Sequence, residues 1–345
     1  MPSTIKSEGR AAVYLEPSGP SGVRVEERPV TPMEHGEVTV SIRTASLNHL
    51  DLWLASGAER IDPPRVICAD GAGVVAESSS GDWRPGDEVV VYPVSCDWDS
   101  AESRAGEQVF APGFGILGEH TDGTACQLLH MPAQNVFHKP AQLSWEESAA
   151  FPLTFLTAWR MLVTRARLKA GETLLVVGAG AGVSAAAIGI GRHLGAQVLV
   201  TSRSEAKRQR ALELGAEAAF DSSDFAKAAK AATGGKGPDV VFEHVGPATL
   251  DQSIRAVRAG GRIVFCGSTT GPRAEVNMPR LFFGQLDVLG STMGNASEFE
   301  ALLQAIDHGL RPVVDSVFPL DQVQEAMQHL DRAEQFGKIV LQIPG

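Results

Sequence analysis

The apolar run Leu174-Leu175-Val176-Val177 breaks into Gly178-Ala179-Gly180-Ala181-Gly182-Val183-Ser184, the pattern of a buried strand that turns tightly and opens a helix. Glycines let such a turn bend and let backbone N–H groups approach a phosphate, while the helix N-terminus adds the positive end of its dipole. The register that fits is Gly178, Gly180 and Gly182 with Ser184 as a fourth small residue, since Val183 stands where G-x-G-x-x-G has its last glycine. The chemistry is dinucleotide binding, with Ala181 and Val183 part of the cradle. About 20 residues further on, a carboxylate would bind a ribose 2′-hydroxyl. Here the chain reads Ser202-Arg203-Ser204, with Lys207 and Arg208 close behind. A hydroxyl and cations suit a 2′-phosphate, so the cofactor is read as NADP(H). Cations at a helix start gain nothing from the dipole, which argues against a decorative role for Arg203 and Lys207.

These residues need a scaffold of alternating strands and helices, and the second half of the chain supplies one. After Leu174–Val177 come strand-like runs at Gln197–Thr201, Ala218–Phe220, Asp239–Phe242, Arg262–Cys266 and Leu286–Gly290, separated by helical stretches that end near Gly215, Gly234 and Gly260. The expected fold class is α/β, a Rossmann doubly wound sheet of six parallel strands. Ligands lie outside the carboxyl ends of such strands, which brings in His244 and Val245 after the fourth strand and Ser268 and Thr269 after the fifth. Residues 11 to about 140 read as short β-runs between turns, among them Glu37–Ile42, Gly73–Ala76 and Glu88–Tyr92. Ser144 with Glu147 forms a capping box for a helix that continues through Pro152 towards Val163. The tail carries helical stretches Glu298–His308 and Leu320–Leu330 and a strand Lys338–Gln342, expected to pack back on the first half.

A length of 345 residues suggests two domains. The net charge of −11 argues against nucleic-acid and anionic-membrane partners and leaves small molecules. Met1–Arg10 has no apolar stretch of secretory type and no run is long enough to span a membrane, so a cytoplasmic protein is expected. Cys68, Cys96, Cys126 and Cys266 form no C-x-x-C pair, which suggests buried, reduced thiols rather than disulfides or a cysteine zinc site.

Asn48-His49-Leu50-Asp51-Leu52-Trp53, Asp70-Gly71-Ala72-Gly73-Val74-Val75, Pro85-Gly86-Asp87-Glu88-Val89, Gly115-Ile116-Leu117-Gly118-Glu119-His120, Leu212-Glu213-Leu214-Gly215-Ala216 and Phe336-Gly337-Lys338-Ile339-Val340-Leu341 together resemble the medium-chain dehydrogenase/reductase superfamily, over nearly the whole chain. That superfamily includes zinc alcohol dehydrogenases and quinone oxidoreductases. The resemblance implies a β-rich GroES-like domain from residues 1–153 and 296–345, and a dinucleotide-binding domain from 154–295. It also implies a homodimer paired near Val288 to Thr292.

The departures bear on mechanism. Where zinc members hold the catalytic metal, the resemblance places Asn48, Ala69 and Leu153, which cannot replace thiolates and an imidazole. Leu50 and Trp53 take the place of the proton relay, and Asp97, Ser100, Ser103 and Ala111 that of the structural zinc lobe, with Cys96 one position off. No metal is expected. Without a Lewis acid, reduction of a simple ketone is difficult, whereas hydride addition to an enone, quinone or enoyl group spreads the charge so that ordinary hydrogen bonds hold it. The expected activity is NADPH-dependent reduction of an activated double bond. The rivals are a metal-free ketone, aldehyde or imine reductase, and a non-catalytic NADPH-binding protein. By position in the family's motifs, Tyr92 and His120 are the candidate proton donors, each also readable as a pocket wall. Asn48 would contact nicotinamide ribose or substrate, or merely form a turn. Asp51 would orient its neighbours, His49 would approach the pyrophosphate, and Thr157 would pack on the nicotinamide.

Overall fold

Residues 8–30, 32–58 and 62–345 are described in the computed structural model, so most of Met1–Arg10 lies outside the described residues. The chain divides into one unit of residues 1–153, 295–303 and 313–345 and another of 154–294 and 304–312. The tail is therefore shared rather than returned whole to the first unit. Leu310, 5% exposed, belongs with the second unit, where it lies against Gly189.

In the second unit the elements are β1 (Thr173–Val176), α1 (Gly182–His193), β2 (Gln197–Thr201), α2 (Glu205–Glu213), β3 (Ala218–Phe220), α3 (Phe225–Ala232), β4 (Val240–Glu243), α4 (Pro247–Ala256), β5 (Arg262–Phe265), α5 (Met278–Gly284) and β6 (Asp287–Gly290). The six strands pair in parallel in the order β3-β2-β1-β4-β5-β6. The order reverses between β1 and β4, so the loops leaving these two strands diverge and open a crevice. Every residue of β1 and of β4 is buried, which is why both read as mostly apolar runs, broken only by Thr173 at the start of β1 and Glu243 at the end of β4. Leu175, Val177, Leu199, Val241 and Ile263 pack there with Phe225 and Ile254 from the helices.

The first unit is β-rich. Its largest sheet has at its centre the strand Glu37–Ser46, longer than the apolar run that announces it. Asp70–Ser78, Leu128–Pro132 and Lys338–Gln342 all pair antiparallel with it. A second sheet joins Val23–Pro29, Glu8–Tyr14 and Arg65–Val66. The capping box forms as expected: Ser144 Oγ accepts the Glu147 N–H at 3.1 Å and Glu147 accepts the Ser144 N–H at 2.9 Å. Its helix, however, ends at Ala149. Pro152 starts a new helix, Pro152–Trp159, where its missing N–H would have no partner in any case, and a π-helical segment Arg160–Arg165 follows.

Candidate functional site

In the first unit, the helix His49–Ser56 begins behind Asn48, and Asp51 reaches back from its first turn to accept the Asn48 N–H at 2.7 Å. The other Asp51 oxygen accepts the Cys68 N–H at 2.8 Å, which helps hold Cys68 at φ 70°, a left-handed conformation unfavourable for a non-glycine residue. Asp51 thus bonds the Asn48 and Cys68 backbone N–H groups. Burial raises its carboxyl to about 6, against the pull of the two N–H bonds. Nothing in the local sequence signals that shift, because the burial comes from segments remote in the chain.

Beside Asp51 lies a polar knot that the sequence motifs contain without revealing. Asn48 Nδ2 donates to Asp70 Oδ2 at 2.9 Å, and Asn48 Oδ1 accepts from Lys338 Nζ at 2.5 Å. Lys338 Nζ also meets Asp70 Oδ2 at 2.8 Å. Ser46 Oγ donates to the same oxygen at 3.2 Å, and the Leu153 N–H to Asp70 Oδ1 at 2.6 Å. Asp70 and Lys338 are 0% and 3% exposed. Such a buried pair is tolerable because further hydrogen bonds satisfy its remaining polar atoms. The one signal in the sequence is a lysine opening the otherwise apolar strand Lys338-Ile339-Val340-Leu341.

In the second unit, Gly178 and Gly180 have φ of 81° and 121°, where only glycine fits without strain. A Cβ on Gly178 would stand 3.2 Å from His244 Nε2, and one on Gly180 2.6 Å from Lys207 Cδ. His244 after β4 and Lys207 on α2 therefore close on the glycine turn. The Gly178 and Ala179 N–H groups bind Thr201 Oγ1 and O at 3.1 and 2.7 Å, and the Gly180 N–H binds Ser184 Oγ at 3.1 Å. Ser184 is thus an acceptor as well as a small residue. The N-cap of α1 is Ala181, whose methyl accepts nothing, so no side chain caps the first-turn N–H groups of this helix.

At the end of β2 the Ser202 hydroxyl turns inward, accepting the Ser204 N–H at 3.3 Å, while Arg203 is exposed. Arg208 buttresses this corner from Ser202 O at 2.7 Å and Asp221 Oδ2 at 3.1 Å. Glu243 accepts from the Val245 and Gly246 N–H groups and from the Thr249 and Ser253 hydroxyls, fixing the loop after β4. His244 Nε2 meets Gly178 O at 3.3 Å, and burial lowers the pKa of its ring, favouring the neutral form. Ser268 Oγ bonds Gly271 O within the loop after β5, and Thr269 Oγ1 bonds His244 O and Val245 O and so ties that loop to the one after β4.

Tyr92 is 0% exposed, its ring 5.6 Å from Phe299 and 6.1 Å from both Trp98 and Phe137. That is the setting of a core side chain. His120 is half exposed, and its Nδ1 accepts the Ile116 N–H at 3.1 Å, which puts the proton of the neutral ring on Nε2. Gly115 makes room for it, since a Cβ there would lie 2.6 Å from that of His120. His49 is half-buried at the helix start, and the Thr157 hydroxyl points to Met293 Sδ at 3.8 Å, a weak acceptor.

The metal positions implied by the resemblance do not fit zinc. Ala69 and Leu153 have no donor atom in their side chains, and the Asn48 oxygen is taken by an ammonium. Among the described residues, no group of three or more His, Cys, Asp and Glu could hold a metal ion. In the lobe, the Ser100 and Ser103 hydroxyls both donate to Asp97 O, at 2.8 and 2.7 Å, and Ser103 reaches Cys96 Sγ at 3.6 Å. Cys96 and Cys266 are half-buried rather than buried, and all four thiols are unpaired. No helix among the described residues is long and apolar enough to cross a membrane.

Two family profiles match the chain: the alcohol dehydrogenase GroES-like domain over residues 34–141, and zinc-binding dehydrogenase over 182–308. A crotonyl-CoA carboxylase/reductase of Cereibacter sphaeroides is 30% identical, over 90% of this chain and 80% of its own. A crystal structure of an NAD-dependent alcohol dehydrogenase is 39% identical with a TM-score of 0.94, covering 97% of this chain and 100% of that one. The 2-octenoyl-CoA carboxylase reductase CinF, solved with NADP and 2-octenoyl-CoA, is 25% identical with a TM-score of 0.93, covering 99% and 89%.

Proposed function

The chain belongs to the medium-chain dehydrogenase/reductase superfamily, and from that premise we propose a zinc-independent, NADPH-dependent reductase of an activated double bond conjugated to a carbonyl. The observation that carries this reading is the Lys338 ammonium on Asn48 and Asp70, a cation at a position where the resemblance puts a metal ligand. The likeness to carboxylase/reductases of crotonyl-CoA and 2-octenoyl-CoA supports an enoyl substrate. For the cofactor, the first turn of α1 would take the pyrophosphate, with Gly178 and Gly180 leaving room for its approach, and Arg203 and Lys207 would take the 2′-phosphate. NADPH supplies the hydride when bound. Asn48 Nδ2–H and His120 Nε2–H are the groups we assign to the oxygen on which charge develops, and His120 or solvent supplies the proton. The four unpaired thiols suit a reducing compartment, and we place the enzyme in the cytoplasm.

The high similarity to an alcohol dehydrogenase favours a second reading, reduction of a ketone or aldehyde, in which His120 must hold a full alkoxide without a Lewis acid. Rates of NADPH oxidation with enoyl thioesters, enones, quinones, aldehydes, ketones and imines decide between them. The expected preference is for a conjugated substrate, with no stoichiometric zinc in the purified protein and no loss of rate on chelation. One zinc per chain together with a preference for simple ketones would overturn the proposal.

We also propose a homodimer. The strand β6 is an open sheet edge, and Phe265, Met278, Phe282, Phe283 and Val288 around it are exposed, an apolar patch that a second copy would cover. Phe283→Asp should turn a dimer into a monomer in sedimentation, and a wild type that sediments as a monomer refutes the pairing.

A further inference from the structure

Building on the proposed reduction, we infer that Lys338 is a positioning residue: it fixes the Asn48 amide so that a hydrogen-bond donor, never the amide oxygen, faces the substrate oxygen.

A primary amide has two ends of nearly equal size, one a donor and one an acceptor, and rotation by half a turn exchanges them. Lys338 and the Asp70 carboxylate it holds break that symmetry together. The ammonium has donors only and stands 2.5 Å from one end of the amide, which must therefore be Oδ1. The same ammonium lies 2.8 Å from Asp70 Oδ2, and that oxygen accepts from Asn48 Nδ2 at 2.9 Å. These contacts close a ring along one edge of the amide, using Oδ1 and the hydrogen on its side. The second Nδ2 hydrogen points out of the ring, and among the described residues the side chain has no further acceptor for it. Turning the amide over would set its NH₂ against the ammonium and its oxygen against the carboxylate. Both contacts would be repulsive, in a place where Asn48 is 7% exposed and water does not screen them.

The consequence for chemistry is a matter of sign. An oxygen that gains negative charge during hydride addition is stabilised by an N–H and repelled by a carbonyl. Lys338, paired with Asp70, decides which of the two Asn48 presents, although it lies 290 residues away in sequence and needs no contact with substrate.

The test is a double-mutant cycle of Lys338→Met and Asn48→Ala, using the substrate that the wild type reduces fastest. Each single change should lower kcat by about 10²-fold, the effect of removing one oxyanion donor, with the KM for NADPH unchanged. In the Asn48→Ala background Lys338→Met should lower kcat no further, and Lys338→Arg should restore part of the rate in the native background. Independent, multiplicative losses, or a normal kcat for Lys338→Met, would overturn the inference. Lys338→Met strands the Asp70 carboxylate, so a second comparison starts from Lys338→Met with Asp70→Asn, which removes both charges together. Adding Asn48→Ala to that pair should change little; a further loss of about 10²-fold would mean that the amide was already oriented without Lys338. If the fastest substrate is a ketone, the conjugated-substrate reading fails while the cycle still tests Lys338, because both reactions build charge on a carbonyl oxygen. A wild type that oxidises NADPH with none of the panel overturns both.

Discussion

Replacing Arg203 and Lys207 together by alanine should raise the Kd for NADPH by about 10²-fold or more, since removing one charge-assisted hydrogen bond costs roughly 1.5–3 kcal/mol. The affinity for NADH should hardly move. Arg203 is exposed at the end of β2, and Lys207 extends from α2 to the turn at Gly180. Both are cations where a 2′-hydroxyl-binding site would have a carboxylate. Titration of each dinucleotide by fluorescence at two salt concentrations is the measurement, because the 2′-phosphate contribution should shrink as salt screens it. Equal weakening of NADPH and NADH would mean that these side chains support the loop and do not read the phosphate.

The Asp51 carboxyl should make the folded state less stable as pH rises from about 4 to about 6. Burial raises its pKa to about 6 in the folded chain, so the native state binds this proton more tightly than the unfolded chain does. The resulting stabilisation is complete below the ordinary carboxylate range and is lost as pH passes through the raised value. It amounts to at most about 3 kcal/mol. Other carboxylates titrate in the same window, so the quantity to follow is the difference in urea-unfolding free energy between wild type and Asp51→Asn. That difference should change with pH across the window, and a constant difference would show that Asp51 titrates normally in the folded chain.

The nucleotide-binding unit is largely legible in the sequence because its strands are short, mostly apolar and separated by helical stretches that end near Gly215, Gly234 and Gly260. Gln197–Thr201 and Ala218–Phe220 form with the bounds the pattern predicts. The strand Val23–Pro29 is hard to read because it alternates valine and arginine with a run of charge, as a half-exposed strand does. The helix Met278–Gly284 is hidden by its proline, its paired phenylalanines and an exposed surface that leaves no apolar stripe. The knot at Asp70 and Lys338 is illegible for a different reason. Periodicity shows which face of an element is apolar, but not which charged residue of one strand will meet which partner on another. Tyr92 shows the converse: residue type suggests a donor, and only the neighbouring rings of Trp98, Phe137 and Phe299 reveal a packed side chain.

The strand carrying Lys338 pairs with Glu37–Ser46, so the first unit is completed by a segment that follows the whole nucleotide-binding sheet in sequence. A growing chain can complete the β1–β6 sheet from contiguous sequence while the first unit still lacks this strand. Until residue 338 leaves the ribosome, Asp70 lacks this cation, and packing the sheet around a lone carboxylate would be strongly unfavourable. The order of synthesis should therefore keep the first unit open until this strand arrives, after the nucleotide-binding sheet is available to fold.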